Sequence, residues 1–142
     1  MEDYSAQEHP QLLHAVLDTT DVRSLAEFYR QLLGLVYRPG DEPPSGSTAD
    51  DADWLVLTDS AGVRKLAFQQ VDELPRTTWP KPDVPQQLHL DMTVPDRATL
   101  DRQRDRAIGL GAKMRLDRTD DPDEPLYALA DPAGHTFCIL VR

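Results

Sequence analysis

Two histidines, an aspartate and a lone cysteine are the residues of this chain best suited to chemistry. His14 and His89 each sit in a short apolar run. Each is followed seven residues later by an aspartate, Asp21 and Asp96, and eleven residues later by a leucine, Leu25 and Leu100. Gly34 and Gly109 then close the two predicted helices, and all four pairs stand 75 residues apart. A second echo, Asp59-Ser60-Ala61-Gly62 against Asp131-Pro132-Ala133-Gly134, runs at an offset of 72. The chain therefore reads as two copies of one unit, each bringing a histidine to an equivalent place. Imidazole is both a metal ligand and a proton carrier near neutral pH. A pseudo-twofold pair of histidines facing one pocket is the start of a metal or ligand site.

Strand alternation decides which side chains would accompany them. In the second copy Leu88, Leu90, Met92 and Val94 form one face, and His89, Asp91 and Thr93 the other. The same parity puts Leu13, Ala15 and Leu17 opposite His14, Val16 and Asp18 in the first copy. In the last strand Phe137, Ile139 and Val141 turn toward the helix, leaving Cys138 and Leu140 toward a cavity. Between Lys65 and Val71, Leu66 and Phe68 go outward and Ala67, Gln69 and Val71 inward, although the ungapped echo aligns Leu66 with Cys138. Asp91 beside an apolar cavity needs a partner, because an unpaired buried carboxylate is costly. His89, a backbone N–H or a cationic part of a ligand would serve. Cys138 taken alone is a small hydrophobe, and a thiol nucleophile would lack an activating base beyond the histidines. His135, after its turn, is predicted at the surface.

The elements that must hold these residues follow from pattern and punctuation. A strand over 12–18 leads to Asp21, an N-cap for a helix striped with Val22, Leu25, Ala26, Tyr29, Leu32 and Leu33 and ended by Gly34. Tyr37 lies on a short strand. A long polar loop through Asp51 follows, too poor in apolar residues to pack a core. Strands at 54–58 and 65–71 make a hairpin. Residues 73–87, with four prolines, form a linker excluded from helix and central strand, in which Trp79 is a packing anchor. The second copy repeats the order: a strand at 88–94, a helix from Asp96 with Leu100, Ala107 and Ile108 inward and Gly109 and Gly111 at its end, and strands at 112–116, 126–130 and 136–141. The fold class is α+β, with module one at 11–72, the linker at 73–87 and module two at 88–142. The acidic loop at 120–125 lacks the glycine and terminal glutamate of a calcium-binding EF-hand loop and reads as solvated.

Bulk properties exclude more than they reveal. The formal net charge of −10 repels phosphate backbones and argues against nucleic-acid binding. No apolar stretch approaches the ~20 residues of a membrane span. One cysteine and an N-terminus without signal-peptide character set the expectation of a cytoplasmic protein.

Leu12 to Asp21, Phe28-Tyr29 and Leu33-Gly34-Leu35 resemble the opening of a vicinal-oxygen-chelate protein. Leu88-His89-Leu90-Asp91, Leu110-Gly111-Ala112 and Asp131 to Cys138 are similar to its second half. The superfamily holds glyoxalase I, bleomycin-resistance proteins, fosfomycin-resistance enzymes and extradiol dioxygenases. The resemblance implies paired βαβββ modules forming a cupped mixed sheet with helices on the outer face, in a homodimer. It also implies metal ligands from the first and last strands of each module. His14 and His89 match the first-strand ligands. The last-strand glutamate or glutamine positions fall at Ala67 (or Leu66) and Cys138, so no clear carboxylate ligand remains.

The leading expectation is a small-molecule-binding protein of the glyoxalase/bleomycin-resistance type, its ligand held between the modules by His14, Trp54, Gln69, His89, Asp91 and Cys138. The 40–52 loop or the Trp79 region would act as a lid. The alternative is a divalent-metal-dependent lyase, isomerase or dioxygenase with His14 and His89 on the ion. A metal-free enzyme with His89 and Asp91 as an acid–base pair is a third reading. No catalytic residue is assigned.

Overall fold

Among the described residues, aspartates start two long helices. The Asp21 carboxylate accepts the Ser24 N–H at 3.2 Å and opens α1 (Val22–Leu33). Asp96 accepts the Thr99 N–H at 2.8 Å and opens α2 (Arg97–Leu110). Gly34 ends α1 in the left-handed region, at φ +66°. Of the two glycines expected to end α2, Gly109 and Gly111, the first does not. It lies inside the helix, and Gly111 at φ +121° performs the stop.

The computed structural model describes residues 8–142. Module one contributes β1 (Ala15–Thr19), α1, β2 (Val36–Tyr37), β3 (Trp54–Thr58) and β4 (Arg64–Gln70). Module two contributes β5 (His89–Val94), α2, β6 (Lys113–Arg118), β7 (Leu126–Ala130) and β8 (Thr136–Val141). Each module forms its own four-stranded mixed sheet, ordered β1-β4-β3-β2 and β5-β8-β7-β6, with one parallel pair at the edge, β1 on β4 and β5 on β8. The α+β class and the paired βαβββ plan are as the sequence implies. Strand β1 is shorter than expected, for Leu12 and Leu13 are 93% and 59% exposed and pairing begins at Ala15. The 38–53 segment is irregular, as its composition requires, but tied down. Asp41 accepts the Val56 N–H at 2.9 Å, and Arg23 of α1 holds Asp50 at 2.7 Å.

The helix-facing sides of both sheets share one core. Leu17, Leu55, Leu57, Leu66 and Phe68 of module one join Tyr127, Leu129, Phe137 and Ile139 of module two in a single apolar cluster. Helix α1 buries Val22, Leu25, Ala26, Phe28 and Tyr29 in it, whereas α2 buries only Leu100 and Ala107. Ile108, expected on the inner stripe, is exposed, as in part is Leu33. Phe28 was absent from the predicted stripe, yet it packs edge-on to Tyr29 at 5.0 Å and lies 5.8 Å from Phe137.

Within this core the Tyr29 hydroxyl donates to Asp131 Oδ2 at 2.6 Å, across 102 residues of chain. The other carboxylate oxygen accepts from the backbone N–H of Ala133 and His135 at 2.9 and 3.0 Å, closing the β7–β8 turn. His135 is half-buried rather than on the surface, its Nε2 lying 2.7 Å from the Asp18 carbonyl oxygen of β1. So one turn of module two is pinned to both α1 and β1 of module one.

Pairing settles the alignment of the two copies. Val16 faces Ala67 as Asp91 faces Cys138, so Ala67, not Leu66, is the counterpart of Cys138. The echo slips because β4 holds one extra residue. Leu57 pairs with Leu66 and Thr58 with Arg64, leaving Lys65 bulged out of the ladder.

Burial raises the Asp131 pKa above the ordinary carboxylate value; the His135 charge, the Tyr29 hydroxyl and the turn N–H groups pull the other way and lose. A carboxyl whose folded pKa is raised adds stability in full below its unfolded pKa, about 4, and loses it as pH rises through the folded value. In equilibrium denaturation, wild type is therefore expected to lose stability relative to Asp131→Asn as pH climbs from about 4. A difference that stays flat or grows with pH would contradict the assignment.

Candidate functional site

The rungs shared by β5 and β8 bring three groups together. His89 lies opposite Thr136, Asp91 opposite Cys138 and Thr93 opposite Leu140. Alternation turns these side chains away from the shared core, since Phe137 and Ile139 point into it. On that face the ligating atoms of His89, Asp91 and Cys138 all lie within 4.8 Å of one another. His89 Nε2 stands 3.4 Å from Asp91 Oδ1, with both side chains about half exposed. The Cys138 thiol is 8% exposed. Burial, and then the adjoining Asp91 carboxylate, push its pKa up to about 11 against the opposing charge of Arg118. At neutral pH the trio is thus a thiol beside an imidazole and a carboxylate, with no thiolate to attack a substrate.

A cleft of about 260 Å³ opens over the trio. Trp79 and Gln86 wall it from the linker, Arg118 from β6, Glu124 from the approach to β7, Leu126 from its first position and Leu140 from β8. The linker is held there by Arg115, at the β6 irregularity between Met114 and Leu116. Its guanidinium donates to the Trp79 carbonyl at 2.9 Å and to that of Gly134 at 3.3 Å. Trp79 thus lines the cleft as well as anchoring the linker.

The six residues picked from the sequence divide into two sets. His89, Asp91 and Cys138 share the module-two cleft. His14, Trp54 and Gln69 lie on the corresponding face of module one. There the His14 and Trp54 rings are 6.2 Å apart, and Gln69 pairs with both Trp54 and Asp18. His14 does not line the His89 cleft. The reason is the packing: the modules meet through their helix-facing sides, which leaves both histidine-bearing faces turned away from the common core. Partial burial, then Arg64 and Arg38, lower the His14 pKa, and its Nδ1 is buried without a hydrogen-bond partner. Both influences favour the neutral imidazole.

Imidazole, carboxylate and thiol make a donor set for a borderline-soft ion such as zinc, with one position left open. The 3.4 Å between His89 Nε2 and Asp91 Oδ1 suits two ligands of one small ion. The bound dication would supply the charge needed to draw the proton from Cys138. The trio therefore fits such an ion, and fits a harder manganese-type ion less well because of the sulfur. Two residues near the trio were missed from the sequence. Thr136 was legible by the same period-2 parity that selected Cys138. Gln86 was not, because a proline-rich linker has no period to read.

A family model described as a glyoxalase-like domain matches residues 14–140. Among solved structures, a glyoxalase/bleomycin resistance protein/dioxygenase family enzyme from Burkholderia phytofirmans PsJN aligns with a TM-score of 0.67 at 16% identity, over 93% of this chain and 98% of that one. The fosfomycin resistance protein FosX from Listeria monocytogenes aligns at 0.65 and 15% identity, over 94% of each chain. The same protein complexed with Mn(II) and sulfate gives 0.61 at 16% identity, over 93% and 92%. At such identities the likeness is one of fold. No curated protein matches the chain.

The raised thiol pKa has a direct readout. The pH–rate profile of Cys138 alkylation by iodoacetamide is expected to rise toward about 11. In Asp91→Asn the profile should move to lower pH. An inflection near the ordinary thiol value of about 8.5 would show the site to be wetter than its burial implies.

Proposed function

The chain belongs to the glyoxalase-like family, and from that premise we propose that it binds a small molecule in the module-two cleft around His89, Asp91 and Cys138. The observation that carries this reading is the convergence of those three groups beneath a cleft walled by Trp79, Leu126 and Leu140. Apolar walls with a few aimed polar groups are the usual build of a ligand site. The ligand has an apolar body and a donor or cationic group reaching Asp91. The formal charge of −10 supports the sign.

The partner is a second copy of the chain. In the homodimer, the His14, Trp54 and Gln69 face of one copy closes over the His89 cleft of the other. What supports this is that both faces are open in a single chain and carry pseudo-equivalent histidines. A strictly monomeric sedimentation profile at micromolar concentration would remove this part of the reading.

Screening cationic small molecules by thermal shift, followed by titration of the best, tests the cleft. Asp91→Asn is expected to weaken such a ligand by about 10- to 100-fold, the worth of a charge-assisted hydrogen bond. Unchanged affinity would remove Asp91 from recognition.

The His/Asp/Cys donor set favours a second reading, a metal-dependent lyase or isomerase. A bound dication would supply Lewis-acid polarisation of a substrate oxygen. His89, Asp91 and Cys138 would hold it, Trp79 would exclude water from one side, and Arg118 would orient an anionic group. Zinc is expected to bind near one equivalent per chain, and Cys138→Ser to weaken it by at least about 10-fold. Failure of the chain to take up zinc in calorimetry would sink this reading and leave the binding role.

A further inference from the structure

A second cavity of about 200 Å³ lies in the seam between the modules, among Val16 of β1, Leu74, Pro75 and Pro85 of the linker, and Ala133 of the β7–β8 turn. Gln86 and Thr136 line both this cavity and the module-two cleft, so the two spaces meet at those residues. Both are polar, and both present a buried atom without a hydrogen-bond partner, Gln86 Oε1 and Thr136 Oγ1. Thr136 is 1% exposed. A buried polar atom left unpaired costs about 1–3 kcal/mol. Two of them at one junction point to a group that arrives and pairs with both.

Neither space alone reaches the ~300 Å³ at which ligand pockets begin, whereas the two joined exceed it. Thr136 lies two residues along β8 from Cys138, hence about 6.6 Å from the Asp91 rung. A two-carbon spacer between an ammonium at Asp91 and an amide at Thr136 covers that span.

We propose that Gln86 and Thr136 form a polar collar recognising the middle of an elongated ligand, whose cationic head sits at Asp91 and whose short apolar tail enters the seam. This rests on the binding role proposed for the module-two cleft. The ligand class is a small amphiphile: a cationic head, a neutral amide-like group two carbons away, and an acyl tail of a few carbons. The amide N–H donates to Gln86 Oε1 and its carbonyl accepts from the Thr136 hydroxyl.

The probes are N-(2-aminoethyl)acetamide and its homologues through N-(2-aminoethyl)hexanamide, titrated by calorimetry into the intact chain. Affinity is expected to rise about three- to fourfold per added methylene until the seam is full. Ala133→Leu, which narrows the seam, is expected to abolish that rise. Thr136→Val is expected to weaken the amides about three- to tenfold. It should also raise the Tm of the free protein by about 3 °C or more, because the unpaired hydroxyl is gone. If the acetamide binds but longer tails bind no tighter, the seam takes no part and the cleft reading stands alone. If Thr136→Val lowers the Tm and leaves affinity unchanged, the hydroxyl is structural and the collar is overturned. If no member binds, the cationic-ligand reading of the cleft fails and this proposal falls with it.

Discussion

The hydrogen bond from Tyr29 to Asp131 is the contact on which the relation between the two modules depends. Each partner lies in a segment that carries the family likeness, Phe28-Tyr29 in α1 and Asp131 to Gly134 in the β7–β8 turn. Both are at most 2% exposed, so the bond is shielded from water and its loss would leave a buried carboxylate short of a partner. The same carboxylate shapes the turn, and the turn's His135 reaches β1. The shared apolar core brings the modules together, and this one side chain fixes where the turn that opens β8 sits against α1 and β1.

The pseudo-symmetry breaks where this bond forms. The residue equivalent to Tyr29 in α2 is Arg104, whose guanidinium stacks 4.6 Å above the Tyr127 ring. Asp59, the counterpart of Asp131, shapes its turn in the same way through the Ala61 and Val63 N–H groups, yet only Lys65 approaches it, at 3.9 Å. Module one therefore keeps a self-contained hairpin, and module two a hairpin used for assembly. The bulge at Lys65 belongs to the same divergence: a turn that must present Asp131 and His135 together does not tolerate the extra residue.

What was legible in the sequence is what local periodicity encodes. Strand parity placed His89, Asp91 and Cys138 on one face, and Asp21 and Asp96 declared both helix starts. Two nearby glycines, Gly109 and Gly111, marked the end of α2, and the stop fell to Gly111, whose φ of +121° admits few other residues. Ile108 misled because α2 is weakly amphipathic and is seated mainly by Leu100 and Ala107, with Leu110 partly buried beside them. The separation of His14 from His89 had no local signal. Parity says which face of a sheet a residue takes, not which way that sheet turns relative to another, and the burial of both helix-facing sides in one core decides the second matter. Gln86 was invisible for a related reason, since its position follows from Arg115 gripping the linker at Trp79, a contact 36 residues long-range.

A cysteine where the superfamily pattern has a glutamate or glutamine changes the electrostatics of the site more than its shape. A glutamate there would stand beside Asp91 as a second negative charge, and each would raise the other's pKa. With Cys138 held as a neutral thiol, that second negative charge is absent and Asp91 is the one carboxylate of the trio. Arg118 and Glu124 also line the cleft, and Glu124 is paired with Arg142 at 3.3 Å. Such a site discriminates by the charge of what enters it: a cationic head group and a dication compete for the same carboxylate, but only the dication stabilises the thiolate as well. The two functional readings are therefore not independent. Occupancy by a soft metal would convert Cys138 to a ligand, neutralise Asp91 and turn the preference of the cleft from cations toward anions.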